Sequence, residues 1–238
     1  MAFIKAHTIL SDLVQEQIEI LPMLHRFGIR LGLGDATISE ICEDRNIDTV
    51  FFLHILNSYL NPDYLGRLKV STAHLSLFAD YLEETNRSYL SSQLPNIEVH
   101  ISSFVRRSDS NNPLFMTLPH VLTQLRETLE ERIRVDEEEF LPRFRAMAQR
   151  LAGNISSITL EQPLEEWTTL PIDRTEALVG DMMQVLIRHL KGDFNDNLLH
   201  AVLYSLSMLR NDLASNNRLR ARLLDPMMEA MDKALKEK

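Results

Sequence analysis

Apolar residues recur every three or four positions along most of the chain, and short glycine- or proline-containing breaks separate these stretches. This spacing is typical of amphipathic helices. In residues 11–27 the apolar stripe includes Leu13, Ile18 and Leu24, and Ser11 is a candidate N-cap. Pro22 falls inside this stretch and should weaken or bend the helix there, because proline lacks a backbone N–H.

Two short helices are predicted next. Thr37 and Glu40 form a capping-box pattern that predicts a helix to about Arg45. Asp48 can cap another helix, which ends near Pro62.

From Ser71 or Thr72 onward the predicted helices are longer. Residues 152–173, which hold Trp167, are predicted to be an irregular connector. The predicted helices run to about Gln93, from Pro95 to the loop RRSDSNNP, from Thr117 and Pro119 to about Arg150, from about Arg174 to Leu190, and from near Asn195 onward.

The pattern predicts an all-α protein with two domains. The predicted order is a small N-terminal helical domain over residues 1–62, a linker over residues 63–73, and a helical bundle over residues 74–238. An insertion at about 152–193 adds an extra helix to the bundle.

The amino-acid composition supports the all-α class and disfavours some kinds of binding partner. The seven glycines and an aromatic content of 7% argue against a β-sandwich. The net charge of −9 argues against nucleic acid and membrane surfaces as partners. No apolar run approaches the ~20 residues that span a bilayer. A single cysteine, Cys42, and an N-terminus without a signal-peptide pattern favour a soluble cytoplasmic protein.

Residues 26–60 allow three interpretations. GIRLGLGD does not match a phosphate-binding glycine motif. TISEICEDRNIDTVFFLHIL has the rhythm of a helix-turn-helix, but residues 1–62 carry four basic and eight acidic side chains. DNA binding needs basic groups for phosphate contacts, so this interpretation is kept only as an alternative.

The third interpretation is a family resemblance. LVQEQIEILPMLHRFGIRLGLGDATISEIC, residues 13–42, resembles the N-terminal domain of the Repair of Iron Centres (RIC) proteins, with RFGI as the clearest match. The cysteine pair of that family falls on Gly32 and Leu33, so the resemblance implies that the redox pair is absent. Cys42 matches a later cysteine, and a lone helical cysteine is more often a buried apolar residue than a reactive thiol.

RIC proteins join this domain to a hemerythrin-like four-helix bundle, and the second predicted domain fits that order. The resemblance places former di-iron ligands in four helices. LEERIRVDEEEFLP and NNRLRARLLDP keep the spacing of the family's third- and last-helix signatures. The former ligand positions are Asn86 or Arg87, a position near Ser108, Arg132 and Asp136, and Asn216 and Arg220.

Arginine has no acceptor lone pair and stays protonated, so these positions predict no di-iron site and no other metal site. Loss of the metal would leave Asp136, with Glu137 or Asp212, buried without a cation. Arg132 and Arg220 then either pair with these carboxylates in a salt-bridged core or bend out to solvent.

No catalytic constellation is predicted, and the eight histidines contain no HxxxH or HExxH pattern. Haem is kept as an alternative cofactor, since a bundle without iron can offer an apolar slot with His or Met ligands. Met182, Met183 and Met208 are interpreted as core residues.

The predicted function is a non-catalytic stress-response regulator or sensor that acts through a protein partner, self-association as a dimer, or a small ligand. The alternatives are a haem-binding redox or gas sensor, a DNA-binding transcriptional regulator, and an iron–sulfur cluster repair protein.

Overall fold

The computed structural model describes residues 3–61, 64, 67–108, 113–152, 154–161 and 173–236. Most of these residues are helical, which confirms the all-α expectation. Parts of the predicted linker and connector, including Trp167, lie outside the described residues.

The chain forms two compact units. Unit 1 comprises residues Met1–Thr85, Glu139–Pro171 and Ser215–Lys238, and unit 2 comprises Asn86–Glu138 and Ile172–Ala214. The predicted domain boundary at residues 63–73 follows chain order and stays a prediction.

In unit 1, the N-terminal segment folds into short helices around one apolar core. Phe52, Ile55 and Leu56 of the fourth helix are fully buried there, and Phe144 and Met227 belong to the same core. The helices are α1 (Leu10–Glu16), α2 (Leu21–Arg26), α3 (Ile38–Asp44) and α4 (Thr49–Leu60), with α8 (Leu141–Leu151) and α11 (Asp225–Lys236) from later in the chain. A 3₁₀ turn at Ile18–Ile20 separates α1 from α2.

A two-stranded antiparallel sheet completes unit 1. Strands β1 (Arg67–Ser71) and β2 (Ser157–Glu161) pair in a register that places Val70 opposite Ile158, and both side chains are buried. The prediction of an irregular connector was therefore wrong for residues 157–161, and the predicted linker contains a strand.

The helices of unit 2 surround a second apolar core. Leu125, Leu129, Leu206 and Leu213 are among its fully buried members. The contributing helices are α6 (Leu94–Arg106), α7 (Pro113–Val135), α9 (Arg174–His189) and α10 (Asp196–Leu219), and α5 (Leu75–Ser88) leads into this unit. Leu118, Leu122, Leu125 and Leu129 follow the three- and four-residue spacing that buries one helix face.

Capping residues place several helix starts as predicted. The Thr37 hydroxyl accepts from Glu40 N, and a Glu40 carboxylate oxygen accepts from Thr37 N at 2.8 Å. These bonds hold the pKa of Glu40 below its ordinary value. Asp48 accepts from Phe51 N at 2.8 Å and caps α4. The prediction for α7 was wrong at its start, since this helix begins at Pro113 and contains Thr117 and Pro119 in its interior.

Within the described residues, π-helical turns interrupt the long helices at three places: Tyr89–Gln93, Asp136–Phe140 and Arg220–Leu224. Each turn ends two residues before a proline, namely Pro95, Pro142 and Pro226. A proline ring clashes with the carbonyl four residues earlier. In all three cases that carbonyl lies at the centre of the π-helical turn, where the wider helix relieves the clash.

Candidate functional site: the buried polar cluster of unit 2

Two carboxylates lie in the interior of unit 2. The side chain of Asp212 is fully buried and Asp136 is 1% exposed. Gln93 Nε2 donates to Asp212 Oδ2 at 2.7 Å, and Asn86 Nδ2 donates to Asp136 Oδ2 at 3.5 Å. A buried carboxylate is costly unless hydrogen-bond donors replace its hydration, and amide side chains provide such donors here.

Asn86 and Gln93 lie on the helix that enters unit 2 and donate to two different carboxylates. Gln93 ends the first π-helical turn and Asp136 begins the second. Gln93 and Asp136 thus lie within the π-helical turns, where the helices are wider.

The two candidate positions in the first helix of the resemblance, Asn86 and Arg87, differ in burial. Asn86 is 2% exposed and contacts Asp136, whereas Arg87 is exposed. Asn86 is therefore the inward position of this pair. Ser108 does not join the cluster, because its hydroxyl donates to the Phe104 carbonyl at 2.8 Å.

Arg132 pairs with a residue that the sequence did not single out. Its Nη1 lies 2.5 Å from Asp173 Oδ2, and the two side chains are 18% and 26% exposed. Arg132 is thus paired with a carboxylate and does not bend out to solvent, although its partner is Asp173 and not one of the predicted carboxylates. The predicted burial of Asp136 and Asp212 is confirmed, whereas Glu137 is exposed.

The last two positions that the resemblance matches to ligands, Asn216 and Arg220, belong to unit 1. Asn216 is 5% exposed. The Arg220 guanidinium lies 4.6 Å from the centre of the Phe140 ring, a cation–π arrangement, and its Nε lies 3.9 Å from Asp225 Oδ1. The Arg220 side chain is 26% exposed.

The donor set does not match a di-iron centre. Among the described residues, no three His, Cys, Asp or Glu side chains are grouped in a way that could hold a metal ion. The polar cluster contains carboxylates, amides and a guanidinium, whereas imidazole and carboxylate are the donors that iron of this type requires.

Sequence reasoning missed Gln93 and Asp173. Asp173 immediately precedes α9, where an acidic residue is an expected N-cap, yet its side chain makes no capping hydrogen bond. It accepts from Arg132 instead.

The two positions that the resemblance matches to the family's cysteine pair lie at a pocket in unit 1. Gly32 and Leu33 line it, in the loop between α2 and α3. Cys42 is fully buried in the core of this unit, and burial raises the pKa of its thiol. These observations support the interpretation of Cys42 as a core residue.

The helix-turn-helix interpretation requires α4 to expose its side chains as a recognition helix. Eight of its side chains are buried, from Phe51 and Phe52 through His54 to Tyr59. His54 Nδ1 lies 2.7 Å from Tyr64 Oη, and burial lowers the pKa of His54 and raises that of Tyr64 to about 12. A recognition helix must present its side chains to base edges, and α4 uses them for the core.

No family model matches this chain, and no curated protein matches it significantly. Over the part of the chain that the structure describes, no helix combines the length and apolar character needed to cross a bilayer.

Proposed function

We propose that this protein is a non-catalytic regulator of the response to oxidative or nitrosative stress, derived from a hemerythrin-like RIC scaffold that has lost its di-iron centre. The observation that carries the proposal is the chemistry at the former ligand positions. Asn86 and Arg132 now serve as hydrogen-bond donors to Asp136 and Asp173. Neither side chain presents the imidazole lone pair that iron binding requires.

The proposed mode of action is binding. The side chains of Asn86, Gln93 and Arg132 donate to Asp136, Asp212 and Asp173, so these residues stabilise a scaffold and do not activate a substrate. A regulator of this kind acts through a protein partner, a second copy of itself or a small ligand whose binding changes with the state of the cell.

Metal content tests the loss of iron directly. The protein is expressed in iron-supplemented medium, purified without chelators, and measured by elemental analysis and absorption spectroscopy. We expect no stoichiometric iron and no oxo-bridged iron absorption. Two tightly held irons per chain would overturn the proposal. A Soret band in the isolated protein, lost on substitution of one His or Met, would replace it with the haem-sensor alternative.

Ligand restoration tests the hemerythrin-like origin. An Asn86→His, Arg132→His variant places two imidazoles near Asp136, which gives three donors of the required types. We expect this variant to bind Co²⁺ or Zn²⁺ with a 1:1 stoichiometry and the parent protein not to.

The matched control is Arg87→His, Arg132→His, which adds the same two histidines with one of them on the exposed neighbouring position. Equal metal affinity in both variants, or no binding by the first variant when it is folded, would contradict the proposed origin of the scaffold.

A further inference from the structure

The pocket at the glycine loop is a candidate ligand site that the polar cluster does not account for. It lies entirely within unit 1 and has a volume of about 340 Å³. This volume is at the lower end of the range for small-molecule sites, roughly 300–1,000 Å³. Its lining consists of apolar and charged residues in similar numbers: Arg30, Leu31, Gly32, Leu33, Ala36, Glu40, Ile41, Asp44 and Arg45.

Glycines shape the loop that forms one wall. Gly32 and Gly34 have φ values of +98° and +57°, in the left-handed region that side chains disfavour. A Cβ atom added at Gly32 would meet no atom within 4 Å, so close packing does not explain this glycine. The backbone conformation itself requires it, and that conformation gives the pocket its concave wall.

The charged side chains of the pocket differ in whether they already have hydrogen-bond partners within the protein. Glu40 belongs to the capping box of α3, and Arg45 Nη1 donates to the Gly28 carbonyl at 2.9 Å. The side chains of Arg30 and Asp44 are exposed and form no hydrogen bond or ion pair with any residue that the structure describes. The Arg30 guanidinium and the Asp44 carboxylate can therefore each pair with a charged group of a ligand.

The remaining wall is apolar. Leu31 is 65% exposed, an unusual position for a large aliphatic side chain, while Ile41 is 7% exposed and belongs to the core. The four ionisable lining residues carry no net charge, which disfavours a phosphate or another simple anion. A ligand that matches the site carries a positive and a negative group beside an apolar body.

We propose that this pocket binds a free amino acid with an apolar side chain. The ligand carboxylate pairs with Arg30 through charge-assisted hydrogen bonds, and its ammonium group pairs with Asp44. The ligand side chain covers Leu31 and Leu33 and removes their apolar surface from water. This inference rests on the proposed function, in which the protein acts by binding, and it names the ligand class.

Isothermal titration calorimetry with L-leucine, L-leucinamide and N-acetyl-L-leucine tests the assignment on the full chain. We expect saturable 1:1 binding of L-leucine and a loss of about ten-fold or more for each analogue, because each lacks one charge that the site pairs. Equal binding of leucinamide would show that the carboxylate is not recognised, and equal binding of N-acetyl-leucine would show the same for the ammonium group. Either result would overturn the proposal.

Variants locate the site. Arg30→Ala and Asp44→Asn should each weaken L-leucine binding by about ten-fold or more, without a change in helical circular dichroism. The matched controls are Arg143→Ala and Glu43→Gln, which remove exposed charges from unit 1 outside the pocket, and they should bind as the parent does. Absence of leucine binding by the folded parent would overturn this inference and leave the metal measurements, which test the proposed function, unaffected.

Discussion

The ion pair between Arg132 and Asp173 allows a direct measurement of how the polar cluster stabilises unit 2. Arg132→Gln and Asp173→Asn are made singly and together. Each change replaces a charged group by a neutral amide, and the Asp173 side chain makes no capping hydrogen bond that the change would remove. The double-mutant cycle then isolates the interaction between the two side chains.

The magnitude follows from the geometry. The atoms that pair are 2.5 Å apart, and the side chains are 18% and 26% exposed. Exposed ion pairs contribute about 0.2–1 kcal/mol, whereas hydrogen bonds to charged groups contribute about 1.5–3 kcal/mol. Because the pair is mostly but not fully shielded, we expect a coupling energy of about 1 kcal/mol at low salt, which corresponds to a Tm change of roughly 2–4 °C.

Urea unfolding followed by circular dichroism measures the coupling, at low salt and at about 1 M salt, where the Debye length is about 3 Å. The control is Arg134→Gln on the same helix. Arg134 is 53% exposed and pairs with Glu131 and Glu138, so its loss should destabilise the protein less than the loss of Arg132 does. A coupling energy of zero at low salt, or a larger effect at Arg134 than at Arg132, would refute the reasoning.

Three further predictions concern protonation, reactivity and metal. Burial holds the pKa of His54 below its ordinary value of 6.5. As the pH falls, the His54 imidazole is therefore protonated at a higher pH in the unfolded chain than in the folded protein. The stability of unit 1 should therefore fall as pH drops below about 6.5, by up to about 1.4 kcal/mol per pH unit, and an NMR titration that gives His54 a pKa above 6.5 would contradict this. Burial also raises the pKa of Cys42, so a disulfide reagent should modify the native thiol about ten-fold or more slowly than the urea-unfolded thiol; equal rates would argue against a core role. Arg132→His alone should gain no iron by elemental analysis, because Asn86, Asn216 and Arg220 would remain unchanged.

Local signals in the sequence predicted local structure well. The reciprocal bonds of Thr37 and Glu40, the cap of α4 by Asp48 and the break of the first helix near Pro22 all follow from the chemistry of two to four neighbouring residues. Helix α9 also matches its predicted range to within one residue.

Contacts distant in sequence were not predictable in this way. Strands β1 and β2 are five residues each and pair across about ninety positions, so no turn signal links them. Their alternating sequences, RLKVS and SITLE, were the only local hint. Similarly, nothing near Arg132 indicates Asp173, which lies 41 residues away.

The π-helical turn at Arg220–Leu224 accommodates one residue more than an α-helical turn would. Leu219 precedes the turn, and Met227 and Met231 follow it, yet all three are buried in the same core. Deletion of one residue within the turn would restore ordinary α-helical hydrogen bonding and leave seven residue steps, about two turns, between Leu219 and the first methionine. The methionines would then stay on the buried face, so the cost of a single-residue gap here would come from Pro226, whose ring would clash again with the carbonyl four residues earlier.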